Sequence, residues 1–182
     1  MRRINEIFYS LQGEGYYTGT PAVFIRFSGC NLSCEFCDTD HREAILMTDE
    51  AIVAEVLRYP ARMVVLTGGE PALSVDEGLV ERLHSHGKYV CIETNGTLPL
   101  PDCIDWVTCS PKQSPGEVAL TRIDELKLVY RGQDVTPFER VPATHYFLQP
   151  CSGQNTHETI DCILRRPKWR LSLQTHKLLN IR

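Results

Sequence analysis

Three thiols set the chemistry open to this sequence. Cys30, Cys34 and Cys37 are spaced C-x3-C-x2-C within one polar stretch, and cysteines grouped this closely are ligands for a metal or an iron–sulfur cluster. A four-iron cluster normally takes four thiolates. Three would leave one iron open, and an open coordination position marks a catalytic metal centre rather than a structural one. The competing reading is zinc, because His41 follows Cys37 by four residues and would complete a closed Cys3His site. A second motif, Thr67-Gly68-Gly69-Glu70-Pro71, joins two glycines that permit a tight turn and let the backbone approach a ligand closely. Standing alone it reads as an ordinary turn.

The whole composition favours metal chemistry over disulfides. The chain has 182 residues and 8 cysteines, and its start, Met1-Arg2-Arg3-Ile4, is followed by no apolar segment of a secretory signal. A reducing, cytoplasmic compartment is expected, where a disulfide framework would not persist. Apolar runs are far short of the roughly 20 residues that cross a bilayer. With 19 Lys and Arg against 23 Asp and Glu the net charge is −4, and no basic face is evident beyond residues 165–170, so nucleic-acid binding is disfavoured. Cys91, Cys103, Cys109, Cys151 and Cys162 lack ligand spacing. Those in strand patterns, Cys91 and Cys109, read as small buried apolar residues.

These groups need a frame, and the pattern of the chain supplies one. Strands are expected at residues 22–27, 63–66, 89–93, 106–109, 126–130 and 145–148, with a last extended piece at 169–173. Helices are expected from Thr48-Asp49-Glu50 onward, over 75–86 with Gly87 as the stop, and over 156–165. Residues 131–143 carry little helical pattern. No repeat or linker divides the chain, so one domain, 1–182, is expected. Alternating strands and helices predict an α/β fold with a mostly parallel sheet. About six strands are too few for an eight-stranded closed barrel, which leaves a partial barrel or open sheet. In such folds the chemistry sits at the C-terminal ends of the strands.

With Phe36 before its last cysteine, the triplet resembles the signature of radical S-adenosylmethionine (SAM) enzymes. Residues 67–71 resemble that superfamily's GGEP motif, which holds the amino group of SAM. The resemblance implies a partial β/α barrel and a 4Fe-4S cluster whose open iron is chelated by SAM. It also implies cleavage of SAM to methionine and a 5′-deoxyadenosyl radical. Together the two motifs outweigh the zinc reading.

The resemblance narrows with Ser10-Leu11-Gln12-Gly13-Glu14-Gly15, Cys37-Asp38-Thr39, Glu93-Thr94-Asn95-Gly96-Thr97, Ser110-Pro111-Lys112, Leu148-Gln149-Pro150 and Gln174-Thr175-His176-Lys177. On these the chain is identified as a member of the 7-carboxy-7-deazaguanine synthase family. That implies conversion of 6-carboxy-5,6,7,8-tetrahydropterin to 7-carboxy-7-deazaguanine with loss of ammonia, a Mg²⁺ requirement, and a place in queuosine or 7-deazapurine biosynthesis. Residue by residue, it places the cluster on Cys30, Cys34 and Cys37, and Mg²⁺ on Thr39. SAM contacts fall on Phe36, Cys37, Asp38, Gly69, Ser110, Pro111, Lys112, Gln149, Pro150, Cys151 and Ser152. Substrate contacts fall on Leu11, Gln12, Gly13, Arg26, Thr67 and Arg182, with Glu14, Glu93 and His176 as catalytic candidates in the pocket.

The residue types suit those roles. A guanidinium at Arg26 offers a bidentate fork to a carboxylate, and Gln12, Glu14 and Glu93 can read an aminopyrimidinone edge. A hydroxyl at Thr39 is a weak oxygen ligand, as befits Mg²⁺ that keeps its waters. Further implied partners are a flavodoxin-like or other low-potential reductant and a second copy of the chain in a homodimer. Two rival functions stand beside this reading: a glycyl-radical-activating enzyme, which needs an open groove for a protein substrate, and a non-enzymatic zinc-binding module.

Overall fold

Strand faces alternate in this chain because apolar side chains are needed against helices on one side and chemistry-bearing ones on the other. In the computed structural model, which describes residues 1–37 and 43–182, the elements in order are β1 Arg2–Leu11, β2 Pro21–Phe27, β3 Ile45–Met47, α1 Asp49–Val56, β4 Met63–Gly68, α2 Glu77–Ser85, β5 Tyr89–Thr94, β6 Trp106–Cys109, β7 Glu125–Tyr130, β8 His145–Pro150, α3 Thr156–Arg165, β9 Arg170–Leu171 and α4 Thr175–Leu179. Among the described residues one sheet runs β3-β1-β2-β4-β5-β6-β7-β8-β9. From β2 to β9 every neighbouring pair is parallel, while β1 pairs antiparallel with both β2 and β3. The sheet is unclosed and mostly parallel, as the sequence predicts, but it has nine strands rather than about six.

The outward-facing residues build two apolar layers. Val23, Ile25, Val64, Leu66, Val90 and Ile92 pack against Ile52, Val53 and Val56 of α1 and Leu79, Val80 and Leu83 of α2. Leu126, Leu128, Tyr146 and Leu148 pack with Cys162 of α3, Trp169, and Val135, Phe138 and Val141. Those last three explain the segment with little helical pattern: it forms a 3-10 turn at Thr136–Arg140 whose apolar residues cover the sheet. Each such fully buried aliphatic contributes roughly 1.5–3 kcal/mol. The helical starts follow local capping. Thr48 accepts from the Ala51 amide and Asp76 from the Leu79 amide. The predicted helix over 75–86 therefore begins at Glu77, after a separate 3-10 turn at Pro71–Leu73.

Four elements differ from expectation. β1 escapes a period-2 reading because its register shifts between Ile4 and Glu6. It is secured by Arg2, buried and paired with Asp49 at 2.6 Å and Asp76 at 2.7 Å, so that the strand's first residue ties down the N-terminal ends of α1 and α2. The exposed β3 has only three residues. The last extended piece shrinks to Arg170–Leu171, and α4 follows it.

The inner face is layered. Phe8, Ala22, Phe24, Met63, Val65 and Cys91 form an apolar cluster, with Phe8 and Phe24 stacked at 4.9 Å between ring centroids. Residues 12–20, connecting β1 to β2, plug the N-terminal ends of the strands. Tyr16 packs tilted against Trp106 at 4.9 Å and stacks on His145 at 4.6 Å, and the Tyr17 hydroxyl meets that of Tyr89 at 3.2 Å. The polar inner residues Arg26, Thr67, Glu93 and Lys127 lie further along β2, β4, β5 and β7, where a large cavity opens. Among the described residues, no helix is long and apolar enough to cross a membrane.

Candidate active site

The loop after β2 and the turn after β4 meet at atomic contact, and glycine makes this possible. A Cβ on Gly69 would lie 1.9 Å from the Gly29 carbonyl oxygen, and Gly68 has φ +120°. The Gly69 amide donates to Phe27 O at 3.0 Å and the Glu70 amide to Gly29 O at 2.9 Å. Glu70, 1% exposed, then locks this turn to the one after β5. Its carboxylate accepts from Thr94 Oγ1 at 2.6 Å, the Asn95 amide at 2.7 Å and the Ala72 amide at 3.0 Å. Burial pushes the Glu70 carboxyl up despite these donors. Asn95 Nδ2 donates to Asn31 Oδ1 at 2.9 Å, and Asn31 Nδ2 to Thr97 Oγ1 at 2.9 Å, so the cysteine loop is braced from β5.

These turns rim a cavity of about 910 Å³. Cys30, Cys34 and Cys37 all line it, and the Leu32 amide points at Cys30 Sγ at 3.4 Å. Backbone amides aimed at sulfur suit an iron–sulfur centre, whose potential such hydrogen bonds tune. Among the described residues, no three His, Cys, Asp or Glu side chains converge closely enough to hold a single ion. A four-iron cluster spreads its thiolates around a larger cage. Asp38, Thr39 and His41, assigned by sequence to SAM, Mg²⁺ and the zinc alternative, lie outside the described residues.

The remaining sequence-predicted residues are largely gathered. Phe36, Gly69, Ser110, Lys112, Gln149, Pro150, Cys151 and Ser152 line the cavity with the cysteines, as do Leu11, Gln12, Gly13, Glu14, Arg26, Thr67, Glu93, His176 and Arg182. Pro111 is buried and does not line it. Lys112 Nζ meets Ser110 Oγ at 2.9 Å, and Phe36 carries the Arg131 guanidinium over its ring at 4.2 Å. Cys91 and Cys109 are buried among apolar neighbours, as expected; burial pushes the Cys109 thiol up to about 12.

The sequence reading does not include Glu6 or Lys127, or the pairings that hold the lining together. Glu6 holds Arg26 Nε at 2.9 Å and Arg182 at 2.8 Å, and both guanidiniums sit over the Phe8 ring. Gln174 donates to Glu14 at 2.9 Å, and the Thr175 amide to Gly13 O at 2.9 Å, so α4 folds back onto the β1–β2 connection. Lys127 reaches Glu14 at 2.5 Å and Glu93 at 3.5 Å. Burial alone would lift the Glu14 carboxyl, but the Lys127 ammonium, with Gln174 and His176, outweighs it and the net direction is down. The signal for Lys127 was in the β7 alternation, Glu125-Leu126-Lys127-Leu128: if the leucines face helices, the charges must face the cavity. Beneath it, a separate cavity of about 10 Å³, the size for one water, is lined by residues that include Trp106 and Glu125, whose Nε1 and Oε1 are buried without a partner among the described residues. Burial pushes the Glu125 carboxyl up.

An unclosed parallel sheet with three cysteines on the loop after its first parallel strand and a glycine turn after the next defines the radical SAM class, and the Radical SAM superfamily profile matches residues 24–107. A 4Fe-4S cluster and SAM are the cofactors of that class. The chain is 68% identical to the 7-carboxy-7-deazaguanine synthase of Bacteroides thetaiotaomicron over 182 residues, covering both chains fully. It is 42% identical to that of Bradyrhizobium diazoefficiens, with 98% of each covered. The crystal structure of QueE from Escherichia coli superposes with a TM-score of 0.79 at 32% identity, over 94% of this chain and 93% of that one. The chain belongs to the 7-carboxy-7-deazaguanine synthase family.

Proposed function

We propose that this chain, as a single catalytic domain over 1–182, converts 6-carboxy-5,6,7,8-tetrahydropterin to 7-carboxy-7-deazaguanine with loss of ammonia, as a Mg²⁺-dependent carbon–nitrogen lyase of 7-deazapurine and queuosine biosynthesis. The observation that carries the reading is one cavity lined both by the cysteine triplet and by Arg26, Gln12, Glu14 and Glu93. Cys30, Cys34 and Cys37 would hold the cluster, with Gly69, Ser110, Lys112 and residues 149–152 around SAM. When bound, cluster and SAM supply a carbon radical that takes hydrogen from the substrate.

The protein's own part is placement. Arg26, braced by Glu6, presents a guanidinium to the substrate carboxylate, with Arg182 beside it. Glu14 and Glu93 offer carboxylate acceptors to the N–H donors of the pterin's aminopyrimidinone ring, and Gln12 bridges them through its Nε2 to Glu93 and its Oε1 to the Glu14 amide. His176 borders the same pocket from α4. The connection over residues 12–20 and α4 wall the pocket below, which limits water around a reactive centre, and holding the reacting atoms near contact is the chief positional gain. Thr39 carries the Mg²⁺ assignment, on resemblance. A flavodoxin-like or other low-potential reductant, a cytoplasmic location and a homodimer complete the reading; the dimer is favoured by the exposed Ile45 and Leu46 on the edge strand β3.

Substrate titration tests it. The anaerobic holoprotein with SAM should bind the carboxytetrahydropterin at least about 10-fold more tightly than the same pterin lacking the carboxylate, and Arg26→Met should erase the difference. Equal binding of the two pterins would refute the assignment.

A further inference from the structure

The deepest charged group of the cavity plays no part in the reading above. Lys127 is 4% exposed, yet lines the cavity with Glu14 and Glu93. Its ammonium meets Glu14 Oε2 at 2.5 Å and Glu93 Oε1 at 3.5 Å. The other Glu14 oxygen accepts from Gln174 Nε2 at 2.9 Å, and the other Glu93 oxygen from Thr67 Oγ1 at 2.9 Å. A buried ion pair is no better for stability than a well-packed apolar replacement, so a charge network kept at a cavity wall calls for another reason. Glu14 comes from the β1–β2 connection and Glu93 from β5, and β7 supplies the cation between them. Without it, two carboxylates would share one cavity wall, and their repulsion would favour the protonated form of one of them.

We propose that Lys127 is a positioning residue that keeps Glu14 and Glu93 side by side as paired hydrogen-bond acceptors, and so selects a substrate edge rich in N–H donors. This rests on the substrate proposed above. The titratable groups around the ammonium are Glu14, Glu93, Glu125 on β7 itself, and His176 from α4, which faces Glu14. β6 and β8 add Thr108 and Gln149, which do not titrate. The bound substrate would meet Glu14 held as an acceptor by the adjacent cation, its carboxyl kept low.

The test uses reconstituted holoenzyme with the carboxytetrahydropterin, comparing wild type, Lys127→Met and Lys127→Arg. Iron content and substrate-free SAM cleavage report the fold and the cofactor site. Lys127→Met should retain both, raise KM about 100-fold with a smaller change in kcat, and show a KM that falls as pH rises from 6 to 9, where wild type is flat. Lys127→Arg keeps the charge but not the point geometry, so its KM should rise about 10-fold with a flat profile. If Lys127→Met loads no iron, Lys127→Arg decides alone. Wild-type KM and a flat profile in every variant that loads iron would overturn the proposal. A wild type that makes no deazapurine would overturn the substrate reading instead.

Discussion

Glu70 gives the sharpest structural test, since it reaches the cofactor loop without facing a ligand. Glu70→Ala removes an acceptor from the Thr94 hydroxyl, the Asn95 amide and the Ala72 amide. Thr94 and Asn95 are buried, and each orphaned buried donor costs about 1–3 kcal/mol. Ala72 is only half-buried and can turn to water. Relief of the buried charge, visible in the raised Glu70 carboxyl, trims the total to about 2–4 kcal/mol. For a chain of this size that is a fall of about 5–15 °C in the melting temperature of the cluster-free protein. Glu70→Gln keeps Oε1 for Thr94 and Ala72 and opposes only the Asn95 amide, so it should lose less than half as much. Because Asn95 braces Asn31, iron loading after anaerobic reconstitution should fall in the same order. Glu70→Ala melting within 2 °C of wild type, with full iron content, would refute the reasoning.

Other outcomes follow from the same geometry. Gly69→Ala puts a Cβ against the Gly29 carbonyl and should part the β2 and β4 loops, lowering iron content and SAM affinity together; normal loading in equilibrium dialysis would contradict this. Urea midpoints should be level over mid-range pH. Glu14, held low, contributes stability that is present above about 4.5 and lost as pH falls through its lowered folded value. Lys127, held high, contributes stability present below about 10.5 and lost as pH rises through its raised folded value. Glu14→Gln should flatten the acid limb, and an unaltered limb would remove that pair from the account. Thr39→Ala should blunt the activation by Mg²⁺ while leaving the cluster absorption intact; an unchanged Mg²⁺ response would take Thr39 out of the metal site.

The parts of the fold legible in the sequence were those whose burial is simple. Strands β2, β4, β5 and β8 carry apolar residues on both faces near their starts, and their outer residues meet the helices as the pattern requires. β1 was not legible, because a bulge breaks its alternation and a buried arginine opens it. In the site, short motifs identified the cysteines, the glycine turn and the lining of the cavity. They did not reveal Glu6 or Lys127, and they gave Gln174 no role although it opens a matched motif, because the importance of all three comes from partners 20 to 160 residues away. No local spacing encodes such pairs. Glu70 shows the converse: a motif residue whose task is to hold two turns together rather than to touch a ligand.

The central claim is most directly tested by turnover. Reconstituted protein with SAM, Mg²⁺, a strong reductant and 6-carboxy-5,6,7,8-tetrahydropterin should release one ammonia per 7-carboxy-7-deazaguanine formed, as followed by mass spectrometry. An intact cluster that cleaves SAM yet yields no deazaguanine from this pterin would contradict the account.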